Sequence, residues 1–190
     1  MMKNKSEDQL LPTCSNKPKP VVLITGGAGF IGSHTADALV RAGYCVRIFD
    51  CLDPQIHGED RAFPSYLHSE IECIQGDVRN ADELRRALRD VSFVYHFAAL
   101  TGVGQSMYDI ANYVDVNCTG TANLLEIVAK DKLPVRRIVL SSSRAVYGEG
   151  THHCPNCGVV YPPIRNRNDM EGDRFEVFCP ICATPTRSVL

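Results

Sequence analysis

The sequence lacks any apolar run near the roughly 18 residues that a membrane-spanning helix needs, and so gives no sign of a membrane partner. Residues 1–19 are polar and lack the roughly 7–15-residue apolar core of a secretory signal, so they read as a flexible tail on a cytoplasmic protein. Net charge is also nearly absent: 20 basic residues against 22 acidic ones leave −2, which argues against nucleic acid as a partner. A disulfide framework is excluded by placement rather than by number. Of the nine cysteines, Cys14 sits in the tail, and Cys45, Cys51, Cys73 and Cys118 are scattered singly, where a reduced thiol serves as a small apolar side chain. At 190 residues the chain has room for one domain with a sizeable core and a small appendage.

What is present begins at Val21. Four apolar residues, Val21 to Ile24, read as a buried strand, a glycine cluster follows at once, and Phe30, Ile31, Ala36, Leu39 and Val40 then recur at helical spacing. Strand, tight turn and helix start form the order that holds a dinucleotide pyrophosphate. Gly26 turns the chain out of the strand, Gly29 lets phosphate approach the backbone, and Gly32 lets the helix pack on the sheet. With Phe30 and Ile31 opening the helix, these are cofactor-binding candidates. A second strand, residues 45–50, ends in Asp50, placed to accept hydrogen bonds from the adenosine ribose hydroxyls and to repel a 2′-phosphate, which favours NAD over NADP.

Residues 51–69 read as a loop. Strands follow at 71–75, 91–97 and 137–141, with an Asn80-capped helix between the first two and a long amphipathic helix over 112–130 before the last. This rhythm predicts a Rossmann-like, doubly wound parallel sheet, and right-handed crossovers give the order 3-2-1-4-5. The glycine turn, Asp50, Asp77, His96 and the serines at 141–143 all fall at the carboxyl ends of strands, where such sheets bind ligands. His96 reads equally well as a structural residue.

With TGGAGFIG at 25–32, GDV at 76–78, HFAA at 96–99, NCTGT at 117–121 and SSSRAVYG at 141–148, the chain resembles the extended short-chain dehydrogenases. More narrowly, it resembles the NAD-dependent sugar epimerase/dehydratase family that includes UDP-galactose 4-epimerase. The resemblance implies bound NAD and a nucleotide-sugar substrate. It also implies Asp77 and Val78 at the adenine, Ala98 and Ala99 along the cofactor channel, Asn117 holding backbone around the site, and Ser143 as the catalytic hydroxyl. The family's tyrosine takes the hydroxyl proton with its pKa lowered by a lysine four residues on. No Tyr-x-x-x-Lys occurs in these 190 residues. The expectation is therefore an N-terminal fragment without its substrate domain, inactive by itself, which self-associates where the full-length enzyme is a homodimer. The Ser-Ser-Ser run favours epimerase over dehydratase. A non-catalytic NAD-binding protein and a zinc-ribbon interaction module remain as alternatives.

The last four cysteines form two C-P-x-C knuckles, Cys154/Cys157 and Cys179/Cys182, separated by 21 residues. That spacing matches a structural zinc site with closed four-sulfur coordination. The domain expectation is thus a tail over 1–19, an NAD-binding domain over 20–150 and a zinc-ribbon segment over 151–190, with ribbon strands at 159–161 and 175–178. The ribbon is similar to the cysteine-bearing insertion of some nucleotide-sugar epimerases, and both a lid over the sugar and a dimer contact fit its place.

Overall fold

The computed structural model describes residues 19–189. The expected tail therefore lies, apart from Lys19, outside the described residues, as does Cys14. The chain gathers into two compact units, the first ending at Ser141 and the second beginning at Ser142.

The first unit is built on five parallel strands: β1 (Val21–Thr25), β2 (Cys45–Asp50), β3 (Glu72–Gln75), β4 (Val91–His96) and β5 (Arg137–Leu140). They lie in the order β3-β2-β1-β4-β5, as the alternation of strand and helix predicts. Successive side chains of a strand face opposite ways, so the apolar runs feed two separate cores. Leu23, Phe49 and Val94 pack with Leu84 and Leu88 under α3 (Ala81–Ala87) and with Leu124 and Ile127 of α5 (Gly120–Lys130). Ile24, Val46 and Ile48 pack on the other face with Ala36 of α1 (Phe30–Arg41). Between β1 and β4, the switch point of the sheet, the glycine turn follows Thr25, which lies opposite His96.

Three local features depart from the sequence reading. The loop after β2 contains a short helix, α2 (Pro54–His57), started by Asp53, whose carboxylate accepts the Gln55 N–H. The long helix is interrupted: α4 (Ile110–Val114) passes through a π-helical stretch, Asp115–Thr119, into α5. Cys45, Cys51, Cys73 and Cys118 are exposed rather than in the core. They sit at the start of β2, just past its end, on the edge strand β3 and in the π-helical stretch, and none of the four is among the buried residues of either core.

The second unit carries an antiparallel sheet of β6 (His152–Cys154), β7 (Gly158–Val160) and β8 (Arg187–Ser188) in the order β7-β6-β8, and a short helix α6 (Arg167–Glu171). The strand expected over residues 175–178 reduces to one bridge, Phe178 with Pro185. Its aromatic alternation is strand-like, but the partner offers a proline with no N–H to extend a ladder. Buried Cys154, Val160 and Cys179 form the small core.

Candidate functional site

The three glycines of the turn have different reasons to lack a side chain. Gly26 has φ +66°, and a Cβ there would lie 2.7 Å from the Ala98 nitrogen. At Gly32 a Cβ would meet the Gly26 carbonyl oxygen at 2.3 Å, so the helix could not sit this close to the turn. Gly29 is different. Its backbone is open to any residue (φ −72°, ψ 176°), and a Cβ would meet only the Gly26 oxygen, at an ordinary 3.5 Å. Neither the fold nor the conformation requires glycine at 29, but the position lines a cavity that a Cβ would enter. Gly29 is also the N-cap of α1 and supplies no side-chain acceptor, so the first N–H groups of the helix face outward with the positive end of its dipole.

The cavity has a volume of about 450 Å³ and follows the carboxyl ends of β1, β2, β3 and β4. Gly26, Gly29, Phe30, Ile31 and Gly32 line one part, and Asp50, Asp77, Val78, Ala98 and Ala99 are among the residues that line another. Ten of the eleven cofactor candidates therefore share one cleft; the eleventh, Asn117, stands behind it. Asp50 is tied to the turn: its Oδ2 accepts the Ala28 N–H at 3.0 Å and its Oδ1 the Leu52 N–H at 2.9 Å. A carboxylate offers about four acceptor positions, so two remain for a ligand.

Asp77 is shared. Arg79 donates to both of its oxygens, with Nη2 at 2.6 Å from Oδ2, and holds the carboxyl below its ordinary pKa. Arg79 also lines the cavity and was not singled out from the sequence, although it follows Asp77 by two residues. Val78 reaches its place because α5 begins with Gly120, where a Cβ would stand 2.5 Å from Val78 Cγ2. Cys51 lies in the same cleft; although the residue is exposed, its thiol is partly desolvated by the cleft walls, and that, with the nearby Asp50, Asp77 and Asp53, raises its pKa and keeps it protonated.

Asn117 acts on backbone. Its Oδ1 accepts the Leu100 N–H at 2.8 Å and its Nδ2 donates to the Leu100 carbonyl at 3.0 Å, fixing the segment after Ala98 and Ala99. His96 supports it through a directional chain. Thr121 donates its hydroxyl proton to the Asn117 carbonyl (2.7 Å), so its oxygen accepts from His96 Nε2 (3.0 Å). His96 Nδ1 is then an acceptor for the Thr25 hydroxyl (2.7 Å), whose oxygen receives the Ala98 N–H (3.2 Å). This order requires neutral His96, and burial lowers its pKa in the same sense. Of the two readings left open for His96, the geometry supplies the structural one.

In the second unit, the Ser143 hydroxyl oxygen accepts the Ala145 N–H at 3.1 Å, which starts a single helical turn and leaves the hydroxyl proton for another partner. The sulfurs of Cys154, Cys157, Cys179 and Cys182 lie within 4.8 Å of one another. The Cys182 thiol is pulled down to about 6, first by hydrogen bonding with Thr184. Cys157 is pushed up to about 12, first by its hydrogen bond to Cys182. The Ile181 N–H donates to Cys179 Sγ at 3.4 Å, as expected of a knuckle that turns its amides toward sulfur. Four soft donors at this spacing suit a tetrahedral thiophilic ion.

A doubly wound sheet with this glycine turn at its switch point defines the class: a Rossmann-like dinucleotide-fold domain. The chain belongs to the NAD dependent epimerase/dehydratase family, whose model matches residues 22–168. It is 36% identical over 169 residues to the dTDP-L-rhamnose 4-epimerase of Burkholderia thailandensis, covering 88% of this chain and 46% of that protein. It is 40% identical over 134 residues to a bifunctional UDP-glucose and UDP-xylose 4-epimerase of Pisum sativum, covering 67% of this chain and 38% of that protein. Among solved structures, the UDP-glucose 4-epimerase of Brucella ovis in complex with NAD matches at 33% identity and TM-score 0.58, over 68% of this chain and 37% of that one. MoeE5 in complex with UDP-glucuronic acid and NAD matches at 35% identity and TM-score 0.55, over 67% of this chain and 38% of that one. The chain thus spans less than half the length of these relatives. Among the described residues no helix is long and apolar enough to cross a membrane.

Proposed function

We propose that this chain is the NAD-binding part of a nucleotide-sugar 4-epimerase and that its second unit holds one structural zinc ion. The observation that carries the cofactor reading is Gly29: a glycine that neither packing nor φ requires, at the mouth of a helix, lining the cleft that Asp50 and Asp77 also line. When bound there, NAD would supply a reversible hydride acceptor for a sugar carbon bearing a hydroxyl. The N–H groups at the start of α1 would hold the diphosphate, Asp50 would accept hydrogen bonds from the ribose hydroxyls, and Asp77, already bound by Arg79, would accept from the adenine amino group. Val78 would pack on the adenine, while the small side chains of Ala98 and Ala99 would leave room for the cofactor. Ser143 is the hydroxyl that orients the sugar oxygen.

Zinc on Cys154, Cys157, Cys179 and Cys182 would leave no open coordination position, so its contribution is to stability. The match to the rhamnose epimerase extends past the unit that bears the parallel sheet. Covering 88% of the chain, it reaches beyond Ser141 into the cysteine-bearing unit. The 190 residues contain no Tyr-x-x-x-Lys, the pair to which the family resemblance assigns proton removal from the sugar. The reading therefore expects these 190 residues to bind the cofactor without epimerising a sugar.

Calorimetric titration with NAD and NADP tests the proposal. NAD is expected to bind at one site per chain, and NADP much more weakly because Asp50 faces the 2′ position. Failure to bind NAD would refute the cofactor reading, and turnover of a nucleotide sugar by the 190 residues would refute the need for the missing pair.

A further inference from the structure

The two walls of the cleft are joined across its mouth. On one side α2 follows the Asp50 strand end and carries Gln55; on the other, the segment after Leu100 forms a single 3₁₀ turn, Gln105–Met107. The carboxamides of Gln55 and Gln105, 50 residues apart in sequence, pair reciprocally. Gln55 Nε2 donates to Gln105 Oε1 at 3.4 Å, and Gln105 Nε2 donates to Gln55 Oε1 at 3.2 Å. Both residues line the cavity.

Gln105 is held in place by its surroundings. The Tyr113 hydroxyl lies 3.3 Å from Gln105 Oε1 and donates to the Gly102 carbonyl at 2.8 Å. Gly102 leaves the necessary space, since a Cβ there would stand 2.4 Å from Gln105 Oε1 and 2.8 Å from the tyrosine oxygen. Asp53 caps α2 and fixes Gln55 from the other side. An amide pair has no net charge and two parallel donor–acceptor bonds, so it closes without repelling an anionic ligand beneath it.

We propose that the Gln55–Gln105 pair is a clasp over the cofactor cleft, which slows release of the bound dinucleotide without contributing to its recognition. Gln55 and Gln105 are positioning residues, and Gly102 is the position that lets the clasp form. This rests on the cleft being an NAD site.

The test loads the 190-residue chain with labelled NAD and follows its release during a chase with unlabelled NAD. Gln55→Ala, Gln105→Ala and the double variant should each release NAD about tenfold faster, the order expected from losing two neutral hydrogen bonds. Association should quicken in proportion, because the pair is closed in the empty cleft and hinders entry as much as exit, so the dissociation constant should stay nearly unchanged. The double variant should be no faster than the singles, because either substitution breaks the same pair. Gly102→Ala should also speed release. It keeps both amides but displaces the flexible end of Gln105, with little change in thermal midpoint. Release at the wild-type rate from folded Gln55→Ala and Gln105→Ala, or additive acceleration in the double variant, overturns the clasp while leaving the cofactor reading intact. Failure of the wild-type chain to take up NAD overturns both.

Discussion

Replacing Gly29 and Gly32 by alanine separates what the ligand demands of the turn from what the fold demands. At Gly29 the added methyl meets only the Gly26 oxygen at 3.5 Å, and φ is −72°, so no strain follows. Reduced freedom of the unfolded chain favours alanine by about 0.4–1 kcal/mol. Alanine is a poorer N-cap than glycine by a comparable amount, so the net change in stability should be within about 1 kcal/mol. The methyl enters the cleft, however, and a diphosphate pushed off the helix start loses at least one hydrogen bond to a charged group, about 1.5–3 kcal/mol. The dissociation constant for NAD should therefore rise roughly 10- to 100-fold.

Gly32→Ala should behave in the opposite way. Its methyl meets the Gly26 oxygen at 2.3 Å and the Gly27 Cα at 2.7 Å, both backbone atoms that cannot swing aside. Forced overpacking of this kind costs about 1–3 kcal/mol or more, so the urea midpoint should fall clearly. Urea unfolding and NAD titration on the two variants decide the matter. If Gly29→Ala binds NAD as tightly as the wild type, or is destabilised as much as Gly32→Ala, the division of roles between the two glycines is wrong.

Three further outcomes are expected. Burial lowers the His96 pKa below the unfolded value of about 6.5, so the unfolded state takes up the proton first. Stability should be full above that value and drain as pH falls through the folded pKa. His96→Asn should flatten this pH dependence, and an unchanged slope in urea unfolding at pH 8 and pH 5.5 would contradict it. Asp50→Asn removes the charge from a group that accepts the Ala28 and Leu52 N–H bonds, and should cost about 1–3 kcal/mol by the same unfolding assay while reducing discrimination against NADP. Metal analysis should find about one zinc per chain. Chelation or Cys154→Ser should unfold the second unit alone, detected as loss of amide protection over β6 and β7 with the first unit unchanged.

The sheet order was legible because each strand was a short run closed by glycine, aspartate, an alanine pair or, for β5, serines, and the crossover rule admits few arrangements. Ten cofactor candidates met in one cleft because they stood at carboxyl ends of strands or in the helix start that follows β1; spacing pointed to the glycine turn, Asp50 and Asp77, and the family resemblance added the adenine role of Val78. The π-helical stretch was not legible. Residues 112–130 carry an unbroken amphipathic pattern, and the extra residue is accommodated where Asn117 binds Leu100, a tertiary contact with no local signature. Arg79 escaped notice for a similar reason: an arginine two residues after an aspartate is common on surfaces, and only the fold turns both into the cleft. The need for glycine at 102 and 120 comes from the Gln105 and Val78 side chains beside them, contacts with no local signature.

The unfinished start of α1 has one more consequence. The chain could have placed serine or aspartate at position 29 and closed the first turn from within, but it leaves that turn open. An anion in the cleft completes the helix from outside, so the first turn of α1 is a reporter of occupancy. The amides of Phe30, Ile31 and Gly32 should exchange with solvent quickly in the empty protein and slowly in the loaded one. Ligand binding would then be readable as local order at one helix end, with no movement of the sheet beneath it.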